Sequence, residues 1–295
     1  MGGLVGVDFV RENIFEILKR NTSGFSNVDR LQRLFEDEDI LKIHFGDSSS
    51  QRLSLSQFVD LYCFDNWKNK GYCCDFYDYL EAVCYEDLLR DSSNRSTESL
   101  LTLIELLYNC WLLPQWIYDD GIEYLESGLL LKNIMDSTLA DFNHRIYEDA
   151  ENERALVIED KPGVTAVAEI IKSELSFDVI RYNHYALKGN IAEKKSILHR
   201  FIDDLEAKRP QLSKLAPKFT SDLFELFNSL NIRHNNIDPA GKKYIPYVAK
   251  MSQEELENWY DELYQMVLLA YLMLDHVERA EKVKDLRNKL HSKNS

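Results

Sequence analysis

This sequence predicts a mainly α fold: two helical domains, of which the C-terminal one is an antiparallel helix bundle. Three observations lead there. The chain has 295 residues with only Gly 11 and Pro 6, too few turn formers for a sandwich or barrel and too few glycines for a Gly-rich nucleotide-binding α/β protein. Its apolar residues recur mostly at helical spacing rather than in alternation. Hydrophobic residues make up 45% and charged residues 29%, which supplies a sizeable core and excludes disorder as a description of the whole chain. The length suits two packed units, and the composition places an acidic helical domain at 1–155 and the bundle at 156–295.

The first half reads as a string of helices. Phe9, Ile14, Ile17 and Leu18 share one face, ended by Asn21-Thr22-Ser23-Gly24, and Val28, Leu31, Leu34 and Phe35 form a second stripe. Ile40 to Phe45 is short and β-tolerant, a strand or a helix end, and Gly46 to Ser50 is a loop. Leu55, Phe58, Val59 and Tyr62 open another helix capped by Ser54 or Ser56, and Tyr72 to Leu89 is rich in aromatics whose spacing suits a core. Leu100 to Trp116 is the most buried helix, following a loop at Ser92 to Thr97, and Ser137 to Tyr147 is amphipathic. Ala155 to Ile158 is an isolated strand or a helix start, and Lys161-Pro162-Gly163 marks a turn near the domain boundary.

The second half is more regular. Helices are expected at Val164 to Leu175 and Phe177 to Leu187, the second closed by Gly189. A long helix from Ile191 to Lys208 is stopped by Pro210, and another spans Lys218 to Ile232. A loop from Arg233 to Met251 follows. Ser252 and Glu255 form a capping box that opens a helix running through Trp259 to Leu274, before a charged final helix at Glu278 to Leu290. Phe201, Leu223, Phe227, Leu263 and Val267 are the expected core of this bundle.

Charge is uneven. Residues 1–160 carry 14 Lys/Arg against 31 Asp/Glu, a balance of −17, whereas 161–295 carry 21 against 19, a balance of +2; together they give the net −15. An acidic chain argues against DNA as a partner, because phosphate contacts need a basic surface, while a local basic groove in the second half can hold RNA. The apolar stretch Leu100 to Tyr118 contains Glu105, Asn109 and Pro114 and reads as a buried helix rather than a membrane span. Five cysteines without a C-x-x-C pair suggest buried reduced thiols in a cytoplasmic protein. Phosphate-binding, dinucleotide-binding, hydrolase and zinc-protease motifs are missing from the sequence, so no cofactor and no metal ligand set is expected.

One constellation stands out. Asn231-Ile232-Arg233-His234-Asn235-Asn236 lies where a helix gives way to the long loop, which continues with Asp238, Lys242, Lys243 and Tyr244. Such a loop exceeds the ~2–8 residues usual between bundle helices. His can move a proton near neutral pH, Arg can stabilise charge on a phosphate, and the Asn, Lys and Tyr side chains can hold a nucleotide chain. The bland alternative makes His234 and Asn235 caps for free helix carbonyls. A second cluster, Arg181-Tyr182-Asn183-His184, places Arg181 and His184 at i, i+3 on one helix face. It is either the basic side of an amphipathic helix or the other half of one site shared with Arg233 and His234.

Leu230 to Asn236, Lys243-Tyr244 and the run ELENWYDELYQMVLLAYL (255–272) together resemble abortive-infection proteins of the AbiJ type. In those, a sensor-like N-terminal domain precedes a C-terminal helical domain of the HEPN superfamily. The resemblance is best over 175–275 and rests on general pattern over 8–150. It implies a helical bundle, often dimeric, with metal-independent ribonuclease activity used in phage defence. The family signature is Arg, a polar residue, a few residues, then His; Arg233 and His234 match its first half, whereas positions 238–240 hold Asp238, Pro239 and Ala240 instead of the second His. The resemblance therefore implies Arg233 and His234 as catalytic, and the chemistry of the two clusters adds Asn235, Asn236, Lys242, Lys243, Tyr244, Arg181 and His184 as the residues expected to bind substrate. It leaves three readings of the missing His: His234 as base, a His such as His184 brought from elsewhere, or no catalysis. The partners it implies are RNA, a second copy of the chain, and a phage or defence-system protein. The alternative to the enzyme is a helical adaptor that senses such a protein or binds a toxin.

Overall fold

In the computed structural model, which describes residues 27–45, 49–90, 96–118 and 121–292, the chain divides into two units, 1–157 and 158–295. The molecule is mainly helical, with small sheets in addition. The predicted helix around Phe9 to Leu18 and the centre of the 46–50 loop lie outside the described residues.

In the first unit, α1 (Val28–Phe35) buries Val28, Leu31, Leu34 and Phe35, the predicted stripe. Strands β1 (Leu41–Phe45) and β2 (Ser49–Leu53) pair antiparallel, and β3 (Ile122–Tyr124) adds to the other side of β1. Ser49 and Ser50, expected in a loop, thus lie in a strand, opposite Phe45 and His44. Ser54 caps α2 (Leu55–Phe58) by accepting from the Gln57 amide, and a π-helical turn, Val59–Cys63, continues it. Two short helices, α3 (Phe76–Ala82) and α4 (Tyr85–Arg90), precede α5 (Thr97–Ile117), whose apolar residues are buried almost all round. This helix is apolar and long enough to span a bilayer by composition, yet 72% of its most apolar window is buried inside the structure, so it serves as the core helix.

Two expectations fail at the end of this unit. The amphipathic segment at 137–147 is not one helix: α6 is Glu126–Asp141, and β4 (His144–Asp149) pairs with β5 (Arg154–Glu159). Asn143 adopts a left-handed φ of 56°, which Asn tolerates and which ends the helix. The Ala155 to Ile158 run is therefore a strand, and buried Asn109 of α5 explains its position. Its Nδ2 donates to the Ala155 carbonyl and its Oδ1 accepts from the Ala155 amide, both at 2.8 Å. The division between units falls inside β5.

The second unit starts at the end of β5 and continues with α7 (Pro162–Ile170), α8 (Ser173–Tyr182), α9 (Ile191–Leu215), α10 (Pro217–Ser229) and α11 (Gln253–Ser292). Phe201, Leu223, Phe227, Leu263 and Val267 are all 0% exposed. Arg200 pairs with Asp178 and Arg181 with Glu193, so α8 and α9 are antiparallel. Lys194 meets Asp261 and Lys208 meets Tyr271, so α9 and α11 run parallel.

Besides the break between α7 and α8, which falls at Ile171–Lys172 rather than at Ser176, and the end of α10 at Ser229 rather than Ile232, four boundaries here depart from expectation. Pro162 is the first residue of α7 rather than part of a turn, because proline at N1 loses no helical hydrogen bond. Pro210 does not stop α9; it lies on the exposed side of the helix, and fully buried Leu212 gains from continuing. No Gly or Pro interrupts 253–292, and the last two expected helices are one. The fourth, the early end of α8, shapes the site. Half of the expected capping box forms: the Glu255 amide donates to Ser252 Oγ at 3.0 Å, while the Glu255 carboxylate accepts from Tyr247 Oη instead.

Candidate functional site

The Arg-His-Asn-Asn segment follows α10 directly. Asn231, with a left-handed φ of 58°, turns the chain out of the helix. Its amide donates to Asn236 Oδ1 at 2.9 Å, and Asn236 Nδ2 donates to the Lys243 carbonyl at 2.8 Å. The Ile245 amide donates to the Asn236 carbonyl at 2.8 Å. Asn236 is 1% exposed. It is a clip across the loop, buried and with both ends of its amide engaged within the loop. The free-carbonyl cap is not made by the side chains of His234 and Asn235 either; the Arg233 amide reaches the Phe227 carbonyl at 3.2 Å.

The clip presents the rest of the segment outward. Arg233 is exposed, and its Nη1 lies 2.7 Å from Glu206 Oε2 of α9. Arg209 lies 3.8 Å from the same carboxylate and stacks over Phe224 at 4.4 Å. His234 is half-buried, and its imidazole has no partner among the described residues. Asn235, Lys242 and Lys243 are exposed and Tyr244 is half-buried; neither lysine is in an ion pair among the described residues. Gly241 and Tyr244 are held by the turn hydrogen bonds Gly241 N–H to Asp238 carbonyl and Tyr244 N–H to Gly241 carbonyl.

The second cluster is elsewhere. Helix α8 ends at Tyr182, because Asn183 donates to the Val179 carbonyl and its own carbonyl accepts from the Glu159 amide at 3.0 Å. His184 then bridges to Ile158 and rests 4.5 Å from the Tyr185 ring, so Arg181 and His184 do not share a helix face. Arg181 pairs with Glu193 at 3.1 Å. Glu193 and Glu206 stand 13 positions apart on α9, or about 20 Å at 1.5 Å per residue. The structure does not join Arg181 and His184 to Arg233 and His234.

A polar network that periodicity alone did not single out lies beside the second cluster. Lys194, 5% exposed, contacts Glu257 and Asp261 at 2.7 Å each and lies 5.3 Å above the Tyr182 ring. Tyr182 donates to Asp261 at 3.0 Å and stacks on Tyr264 at 4.0 Å, and Asn183 donates to the Tyr264 hydroxyl at 2.7 Å. Burial and the Asp261 carboxylate push the Tyr182 hydroxyl far up from its ordinary pKa. Burial alone would raise the Glu257 carboxyl, but Lys194 and the Gly189 amide outweigh it and hold it below its ordinary value. Lys194, Asp261, Tyr182, Asn183 and Tyr264 border a cavity of about 70 Å³, room for a few waters but not for a nucleotide. The signal was present: Lys194 sits on the same stripe as Ile197, Leu198 and Phe201, and a lysine there needs buried partners.

Among the described residues no group of three or more His, Cys, Asp or Glu is placed to hold a metal ion. The five cysteines are unpaired, but only Cys63 and Cys110 are buried; Cys74 and Cys84 are exposed and Cys73 is half-exposed, against the expectation of buried thiols. The architecture defined so far is a helical unit with a clipped, outward-facing loop rich in Arg, His and Lys. Compared with known proteins, the chain matches no family model, no curated protein and no solved structure.

Proposed function

We propose that this chain is a defence-associated, HEPN-like protein that cleaves RNA without metal through the loop after α10. The observation that supports the reading is the Asn236 clip, which fixes the segment that carries the exposed Arg233 and the unpartnered imidazole of His234. In this mechanism His234 accepts the proton of a ribose 2′-hydroxyl. The 2′-oxygen attacks the adjacent phosphorus, the bond to the 5′-oxygen breaks, and a 2′,3′-cyclic phosphate forms. The leaving 5′-oxygen takes a proton from solvent or from a second subunit. Arg233 leaves Glu206 to stabilise charge on the phosphate, and Lys242 and Lys243 follow the backbone. Because the loop carries one imidazole, the reading includes a homodimer with the two Arg233 loops near the two-fold axis.

A second reading, a non-catalytic adaptor in the same cytoplasmic setting, is favoured by the Arg233–Glu206 pair and by the separation of His184 from the loop. One experiment decides. Under the enzyme reading, purified protein cleaves RNA in EDTA, and Arg233→Ala and His234→Ala each lower the rate ~10²–10³-fold while costing under ~1 kcal/mol of stability. No cleavage of any RNA, or cleavage untouched by His234→Ala, rejects it. A strict monomer in sedimentation removes the second subunit as a proton source.

A further inference from the structure

A cavity of about 720 Å³ lies in the first unit between the end of α1, α3 and α4. Its size falls in the range of pockets that take organic ligands. Phe35, Tyr77 and Tyr85 supply aromatic wall, and Glu36, Glu81 and Glu86 supply exposed carboxylates. None of the three glutamates is in an ion pair among the described residues; Glu36 accepts only a long hydrogen bond from Gln32, at 3.4 Å. Tyr85 adds an independent observation. It lines the cleft, is 5% exposed, and its hydroxyl has no hydrogen-bond partner among the described residues. A buried hydroxyl is ordinarily satisfied, so an orphaned one in a cleft wall is explained by a partner that a ligand brings.

We propose that this cleft binds an organic polycation, with ammonium or guanidinium groups spaced along an aliphatic chain. Carboxylates distributed around an aromatic wall suit such a ligand: each charge finds a glutamate, the rings face cations favourably, and the aliphatic stem covers Leu80. A metal ion needs its ligands gathered at one point, and no such grouping exists among the described residues. The field of the unit points the same way, since residues 1–160 carry 31 acidic against 14 basic side chains. The shared chemistry has two sources, a free polyamine or the basic side chains of a peptide.

Calorimetric titration of the full chain with spermidine, a capped tetra-arginine peptide and magnesium chloride tests this. Saturable one-to-one binding of spermidine or of the peptide is expected, and whichever binds more tightly names the source. Glu81→Gln with Glu86→Gln weakens it tenfold or more, and Tyr85→Phe weakens it several-fold, with thermal melts unchanged. The charge-matched control Glu98→Gln with Glu126→Gln, on exposed residues away from the cleft lining, leaves it intact. The proposal is overturned if neither organic cation saturates at millimolar concentration or if magnesium binds as well at the same site. It is equally overturned if the control pair weakens binding as much as the cleft pair, since attraction is then general. Unchanged binding in Tyr85→Phe overturns it as well, since the orphaned hydroxyl is what marks the cleft as a site.

Discussion

Asn236→Ala separates the residues that build the loop from those that work on it. The substitution deletes the acceptor of the Asn231 amide and the donor to the Lys243 carbonyl. Asn236 is 1% exposed and Asn231 8%, so water cannot replace the lost partners without opening the loop. Two backbone groups left unsatisfied at ~1–3 kcal/mol each give a loss of about 2–6 kcal/mol. For a unit of this size that corresponds to a fall in Tm of roughly 8–24 °C. Asn236→Asp keeps the acceptor for Asn231 but points a carboxylate oxygen at the Lys243 carbonyl, and loses as much. The assay is thermal melting followed by circular dichroism, with hydrogen exchange at the amides of Asn231 and Ile245. Faster exchange at both is expected, with the core of α9 unaffected. A Tm within ~1 °C of wild type, with both amides still protected, would falsify the clip. The contrast with Arg233→Ala and His234→Ala is the point: neighbours in one hexapeptide divide into structural and chemical roles.

Gly128→Ala places a Cβ 2.7 Å from the Ile40 carbonyl oxygen and 2.9 Å from Tyr124 Cδ1. Overpacking against backbone outweighs the better helix propensity of alanine, and a net loss of ~1–3 kcal/mol is expected; a raised urea midpoint refutes it. Acid titration reads the buried ion pairs. The Glu257 and Asp204 carboxyls are both held below their ordinary values, in each case because basic and hydrogen-bonding partners outweigh burial, which by itself raises them. A depressed folded pKa contributes stability above the unfolded value and loses it as pH falls through the folded one. Stability of the second unit therefore declines below about pH 4.5, and in Lys194→Met the Glu257 part of that decline shrinks. An identical acid profile in Lys194→Met counts against the network.

Much of the helical frame was legible because it rests on local physics. The stripes Val28 to Phe35, Ile197 to Leu205 and Leu223 to Phe227 repeat at helical spacing, and burial follows from that spacing alone. Misplaced ends were those decided by distant partners. Residues 137–147 carry an amphipathic pattern that fits a helix, but β5 offers the last of them a strand, and Asn109 anchors that strand from 46 positions away. Pro210 is locally a stop signal, overridden by the packing of Leu212.

The site divides in the same way. Sequence by itself determined that Arg233, His234, Lys242 and Lys243 stand in a long polar segment after a helix, because residue type and helix periodicity are local properties. Only the tertiary structure decided that Asn236 is a clip, that Arg233 meets Glu206, and that Arg181 and His184 belong elsewhere. Those outcomes depend on which carbonyls and carboxylates the packed helices bring within hydrogen-bonding distance, and no spacing along one chain encodes that distance.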